Sequence, residues 1–135
     1  MRSLLALGAV LAAGQTASPA QVVRAWSHAL NTNDNRAAAA LFAPNARVVQ
    51  PGLDARLTSR ALATAFNASL PCAGRIVVLT VKGERVTATF VLGHRPNHRC
   101  DAPGGAKAAA VFVVHGGKIV LWQQIPVPKT GTPAS

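Results

Sequence analysis

The sequence predicts an α+β domain: three helices packed on a curved antiparallel sheet. Two patterns and their order carry this. Capped segments with apolar residues at helical spacing dominate residues 18–70. Val- and Ile-rich segments joined by two-residue Gly turns follow from residue 75. The order is helix, helix, strand, helix, then four strands in succession, which argues against parallel βαβ units. The 135 residues, 50% apolar and 13% charged, suit one domain with a packed core.

Residues 1–17 read as a signal peptide. Arg2 precedes an apolar run from Leu4 to Ala13, too short to span a bilayer, and small residues follow as cleavage sites. Gln15 stands where a lipoprotein would need its cysteine, so the expected product is secreted or held in the cell envelope without a lipid anchor. The competing reading is an apolar helix packed on the domain. No other run is long enough for a membrane span.

The domain is expected over residues 18–126. Ser18, Pro19 and Gln21 form a capping box, and Val22, Val23, Trp26, Ala29 and Leu30 then give helix one its apolar face. Asp34 or Asn33 caps a second helix over Asn35–Ala43, with Ala38, Leu41 and Phe42 inward and Pro44 as its stop. Ala46–Gln50 reads as a strand ended by Pro51-Gly52, and residues 53–57 as loop. Thr58 or Ser59 caps a third helix to about Leu70, with Leu62, Ala65 and Phe66 inward. Arg75–Lys82 and Arg85–His94 form a hairpin across Gly83-Glu84, and Lys107–His115 and Lys118–Ile125 another across Gly116-Gly117. Residues 127–135, with Pro128 and Pro133, read as a flexible tail.

Cys72 and Cys100 predict a disulfide, against two free thiols or a reactive pair. An exported chain with two cysteines favours oxidation. The first hairpin's register also carries Cys72 opposite about Arg95, close to Cys100. The bridge would pin the 95–105 loop and make Arg95, His98 and Arg99 a basic rim.

The segment Arg24–Gly52 (RAWSHALNTNDNRAAAALFAPNARVVQPG) and the closing segment Val111–Gln124 (VFVVHGGKIVLWQQ) resemble the nuclear transport factor 2-like (SnoaL-like) domain family across nearly all of residues 18–126. The resemblance implies a cone with a pocket between helices and bent sheet. It does not choose among ketosteroid isomerases, epoxide hydrolases, dehydratases, polyketide cyclases and non-catalytic binders. The isomerase-like base position is filled by Gln50, the helix-one phenol position by Trp26, and the second acid position by Ala110. An amide, an indole and a methyl group cannot perform that proton transfer. The acidic residues Asp34, Asp54, Glu84 and Asp101 fall in predicted turns or loops, which disfavours paired-carboxylate chemistry.

The expected protein is therefore non-catalytic, without cofactor or metal, since the four histidines have no ligand spacing. Its expected pocket is lined by Trp26, Leu30, Gln50, Phe66, Phe90, Ala110, Phe112, Trp122 and Gln124, and would take a small apolar molecule. The alternative reading fills the cone with these side chains. Two other readings are a homodimer or protein partner on an outer sheet face bearing Val77, Leu79, Val81, Val91 and Val113, and an atypical enzyme using His94 or Gln50. The net charge of +10 is spread along the chain without runs or interleaved aromatics, so no nucleic-acid partner is expected.

Overall fold

A computed structural model describes residues 16–129. The proposed signal peptide lies almost wholly outside the described residues, as does the end of the tail. The described chain runs α1 (Pro19–Asn31), α2 (Asn35–Ala40), β1 (Phe42–Gln50), β2 (Leu53–Leu57), α3 (Arg60–Ser69), β3 (Ala73–Lys82), β4 (Arg85–Gly93), β5 (Lys107–His115) and β6 (Lys118–Ile125). The six strands form one sheet in the order β2-β1-β6-β5-β4-β3. No helix among the described residues is long and apolar enough to cross a membrane.

The helices begin where their side chains satisfy the free backbone donors of a first turn. Ser18 Oγ accepts from Gln21 N–H, and Gln21 Oε1 accepts from Ser18 N–H. Asp34 Oδ1 accepts from Ala37 N–H at α2, and Ser59 Oγ from Leu62 N–H at α3. Helix α1 buries the expected face, Val22, Val23, Trp26, Ala29 and Leu30. Each of the Val and Leu side chains contributes about 1.5–3 kcal/mol by leaving water.

Several boundaries and faces differ from the expectation. Helix α2 ends at Ala40 because the sheet claims the next residues: Leu41 C=O accepts from Ile119 N–H, and Phe42 pairs with Ile119. Phe42 is still buried, but from a strand. Residues 53–57 are a strand, not a loop. Gly52, at φ 81°, closes a tight turn after Pro51, and Gln50 then pairs with Leu53 and Val49 with Asp54. The inward stripe of α3 is Ala63, Phe66 and Asn67, while Leu62 and Ala65 face solvent. The sheet is not purely antiparallel, because β6 returns beside β1 in the parallel sense.

A bulge between Ile76 and Val78 also shifts the alternation of β3. Leu79 pairs with Ala88 and Val81 with Val86, so both share the inner face with those buried residues. The outer face of β3 instead presents Val78, Thr80 and Lys82. Val91 and Val113 do lie on the outer face.

Inside, Trp26 meets Phe112 edge-on at 5.2 Å and Phe90 at 6.0 Å, and Phe66 meets Trp122 at 5.1 Å. These contacts bind the helices to β4, β5 and β6. The Cys72–Cys100 disulfide is present, with the Cα atoms 4.8 Å apart. It joins the start of β3 to the β4–β5 loop.

Candidate functional site

One end of the space between helices and sheet is unfilled, and small side chains explain why. At the filled end the inner face carries Val86, Phe112, Val114 and Ile119, all at most 2% exposed. At the other end the inner positions of β3 and β5 hold Gly74, Ala108 and Ala110, whose side chains are too short to reach α1. A cavity of about 310 Å³ results. It is bounded by α1, the link from α3 to β3, and the inner faces of β1 and β3–β6. That volume lies at the lower end of ordinary small-molecule sites.

Seven of the nine residues named from the sequence border this cavity: Trp26, Leu30, Gln50, Phe90, Ala110, Trp122 and Gln124. Phe66 and Phe112 do not. They pack behind it, against Trp122 and Trp26 respectively. Cys72, Gly74 and the backbone from Leu70 complete one wall. Among the described residues no acidic, basic or histidine side chain borders the cavity.

The polar atoms facing this apolar space are few. Gln50 and Gln124 follow the last β1–β6 pair, Val49 with Gln123, so their amides sit on adjacent strands at one end. The two tryptophans differ in a way that decides their chemistry. Trp26 Nε1–H donates to Asn67 Oδ1 at 2.8 Å, and Asn67 Nδ2 donates to Ala63 C=O, also at 2.8 Å. Trp26 therefore offers a ring and no free donor. Trp122 is 5% exposed, and its buried Nε1–H has no acceptor among the described residues. An unpaired buried donor costs about 1–3 kcal/mol.

Asn67 escaped the sequence reading. The available signal was an asparagine one position after Phe66 and four after Ala63, on the buried stripe of a helix.

The carboxylates lie elsewhere. Asp54 takes two hydrogen bonds from Arg47, 2.8 and 2.9 Å, and that pairing holds its carboxyl below the usual aspartate range. Asp101 pairs with Arg99, Glu84 with His115, and Asp34 caps α2. His94 is exposed at the end of β4, and His28 is exposed on α1. His98 is held by the carbonyls of Ala68 and Pro96. Arg95 does not join a basic rim. It is 2% exposed and anchored to α3 and the α1–α2 turn, leaving Arg99 as the loop's exposed cation. No group of three His, Cys, Asp or Glu side chains suited to a metal occurs among the described residues.

Gly74 is a wall residue with no room for a side chain. A Cβ there would lie 2.6 Å from Val91 O and 3.3 Å from Phe90 Cβ. Its carbonyl also accepts from Asn31 Nδ2 at 2.8 Å, tying β3 to α1. Since the closest atom is backbone, Gly74→Ala is expected to destabilise the fold by about 1–3 kcal/mol. A lower urea midpoint with unchanged slope would record it.

The fold and site thus define a cone-shaped α+β domain enclosing an apolar cavity. The SnoaL-like domain model matches residues 23–122, and the chain belongs to that family. No curated protein matches it. Among solved structures, a protein from Sphaerobacter thermophilus is 22% identical, with TM-score 0.64 over 83% of this chain and 98% of its own. A hypothetical protein of ketosteroid isomerase-like fold from Catenulispora acidiphila, solved with trimethylamine, is 23% identical, with TM-score 0.63 over 82% of this chain and 87% of its own. A nuclear transport factor 2-like protein of unknown function from Cytophaga hutchinsonii is 15% identical, with TM-score 0.65 over 83% and 92%. At these identities the likeness is one of fold.

Proposed function

We propose that this is a secreted, non-catalytic binding domain whose cavity takes a small apolar molecule carrying one hydrogen-bond acceptor. The observation that carries this reading is a cavity of about 310 Å³ walled almost wholly by hydrocarbon, with the amides of Gln50 and Gln124 at one end. A ligand carbonyl or ether oxygen there would accept from one of these amides. Export is supported by the signal-like residues 1–17 and by the disulfide, which oxidising compartments sustain. Binding without turnover is supported by a cavity wall that, among the described residues, holds no acid, base or histidine.

The test uses intrinsic fluorescence, because both tryptophans of the chain border the cavity. Titration with a cyclic ketone and with its parent cycloalkane should show the ketone binding about tenfold more tightly, the value of one hydrogen bond. Gln50→Leu/Gln124→Leu should erase the preference while keeping the hydrocarbon affinity. Ala110→Phe should fill the space and abolish both. Equal binding of ketone and hydrocarbon to the unaltered chain would sink the role given to the two amides. No binding of either would sink the pocket itself.

A further inference from the structure

The outer face of the sheet carries a second concavity, independent of the cone. It holds about 440 Å³ and lies over β3, β4 and the start of β5, with Val127–Lys129 returning along its border. Lys82, Arg85, Lys107 and Lys129 border it, and all four are exposed. Between them stand the half-buried threonines Thr80 and Thr87, with Thr89 buried beneath at 5% exposure. Among the described residues the lining holds no acidic group. Asp34, Asp54 and Asp101 are engaged elsewhere, at the start of α2, by Arg47 and by Arg99. Glu84, in the turn between Lys82 and Arg85, is the one nearby carboxylate and bonds His115, so four cations face a single acid.

The register gives the patch its shape. Lys82 pairs with Arg85 at one end of β4, while Lys107 pairs with Val91, six residues along that strand. At about 3.3 Å per residue the two ends are roughly 20 Å apart. A single phosphate or carboxylate cannot bridge them, but a linear polyanion can. A second copy of this chain seated symmetrically here would set lysine against lysine. Among the described residues no aromatic side chain borders the groove to stack a base, which disfavours nucleic acid. Hydroxyls between separated cations match alternating sugar hydroxyls and acid groups.

We infer that this groove binds an acidic polysaccharide in extended form, so that the exported domain is retained on an anionic glycan. The full chain should bind polygalacturonate at low salt and ignore neutral dextran. The variant Lys82→Gln/Arg85→Gln/Lys107→Gln should bind at least about tenfold more weakly. Arg24→Gln/Arg36→Gln/Arg60→Gln removes the same charge from exposed helical positions and should stay within about twofold. On the unaltered chain, bound polymer should shield Lys82, Lys107 and Lys129 from acetylation more than Lys118, a readout that needs no variant to fold. Equal losses in the two triple variants would overturn the inference in favour of diffuse charge. So would uniform shielding of all four lysines, dextran binding as well as polygalacturonate, or no binding of polygalacturonate. Tighter binding of oligo-dT, lost in the groove variant, would replace it with a nucleic-acid surface.

Discussion

Replacing Arg95 with alanine is expected to cost the fold about 3 kcal/mol or more, although Arg95 touches no carboxylate. The guanidinium is 2% exposed. Its Nη1 donates to the carbonyls of Asn67 and Leu70, both at 2.7 Å. Its Nη2 donates to Asn33 Oδ1 at 2.9 Å and to Asn35 Oδ1. The two carbonyls close the C-terminal end of α3, where unpaired C=O groups give a helix its partial negative charge. Burial pushes the guanidinium below its ordinary pKa, so the site bears a desolvation cost that these neutral oxygens offset. Truncation would strand several acceptors and leave a cavity. It would also loosen the functional site, because Leu70, whose carbonyl Arg95 holds, borders the cone cavity. Arg95→Lys should fall between, since an ammonium cannot reproduce the planar fork. Equilibrium urea unfolding of the three proteins decides the matter. A loss below about 1 kcal/mol for alanine would refute the role assigned to this side chain.

Arg95 also marks where sequence reading stopped. From sequence it is one charge in a polar loop, and nothing in its neighbourhood distinguishes it from Arg99, which is exposed. Its partners are 25 to 62 residues away, on two separate segments. Elements set by local chemistry were legible: the Ser18 capping box, the Ser59 cap and the two Gly hairpins depend on adjacent residues alone. Elements decided by tertiary pairing were not. Leu41 and Phe42 continue a helical pattern, yet β6 draws them into the sheet. The strand Leu53–Leu57 does show apolar residues at alternate positions, but five residues with two charges fall below the strength at which alternation stands alone.

The cavity was legible through the residues that border it and not through those behind them. Helical spacing put Trp26 and Leu30 inward, Phe90 and Trp122 followed as bulky apolar strand residues, and the family resemblance supplied Ala110. The same rules put Phe66 and Phe112 inward, since periodicity gives the facing and not the depth. What makes the space is the smallness of Gly74, Ala108 and Ala110 at one end. Likewise, which indole donor is free depends on Asn67, forty-one residues from Trp26.

Reduction of the Cys72–Cys100 bridge should cost the domain about 3 to 4 kcal/mol, from closing a 28-residue separation in the unfolded chain. For a domain of this size that lowers the melting midpoint by about 15 °C. The folded state should change little, because the bridged loop has other ties. Leu92 N–H donates to Ala106 C=O at 2.8 Å, His98 is bonded at Ala68 O, and Arg95 is locked beneath. The disulfide thus acts mainly through the unfolded chain and Arg95 through folded contacts. Their losses are expected to add within about 0.5 kcal/mol in a Cys72→Ala/Cys100→Ala/Arg95→Lys protein. If the bridge instead held the loop in place, its removal would detach Arg95 as well, and the combined loss would fall well short of the sum. Calorimetry on the oxidised, reduced and substituted proteins separates these cases, and an unchanged midpoint on reduction would reject the stabilising role outright.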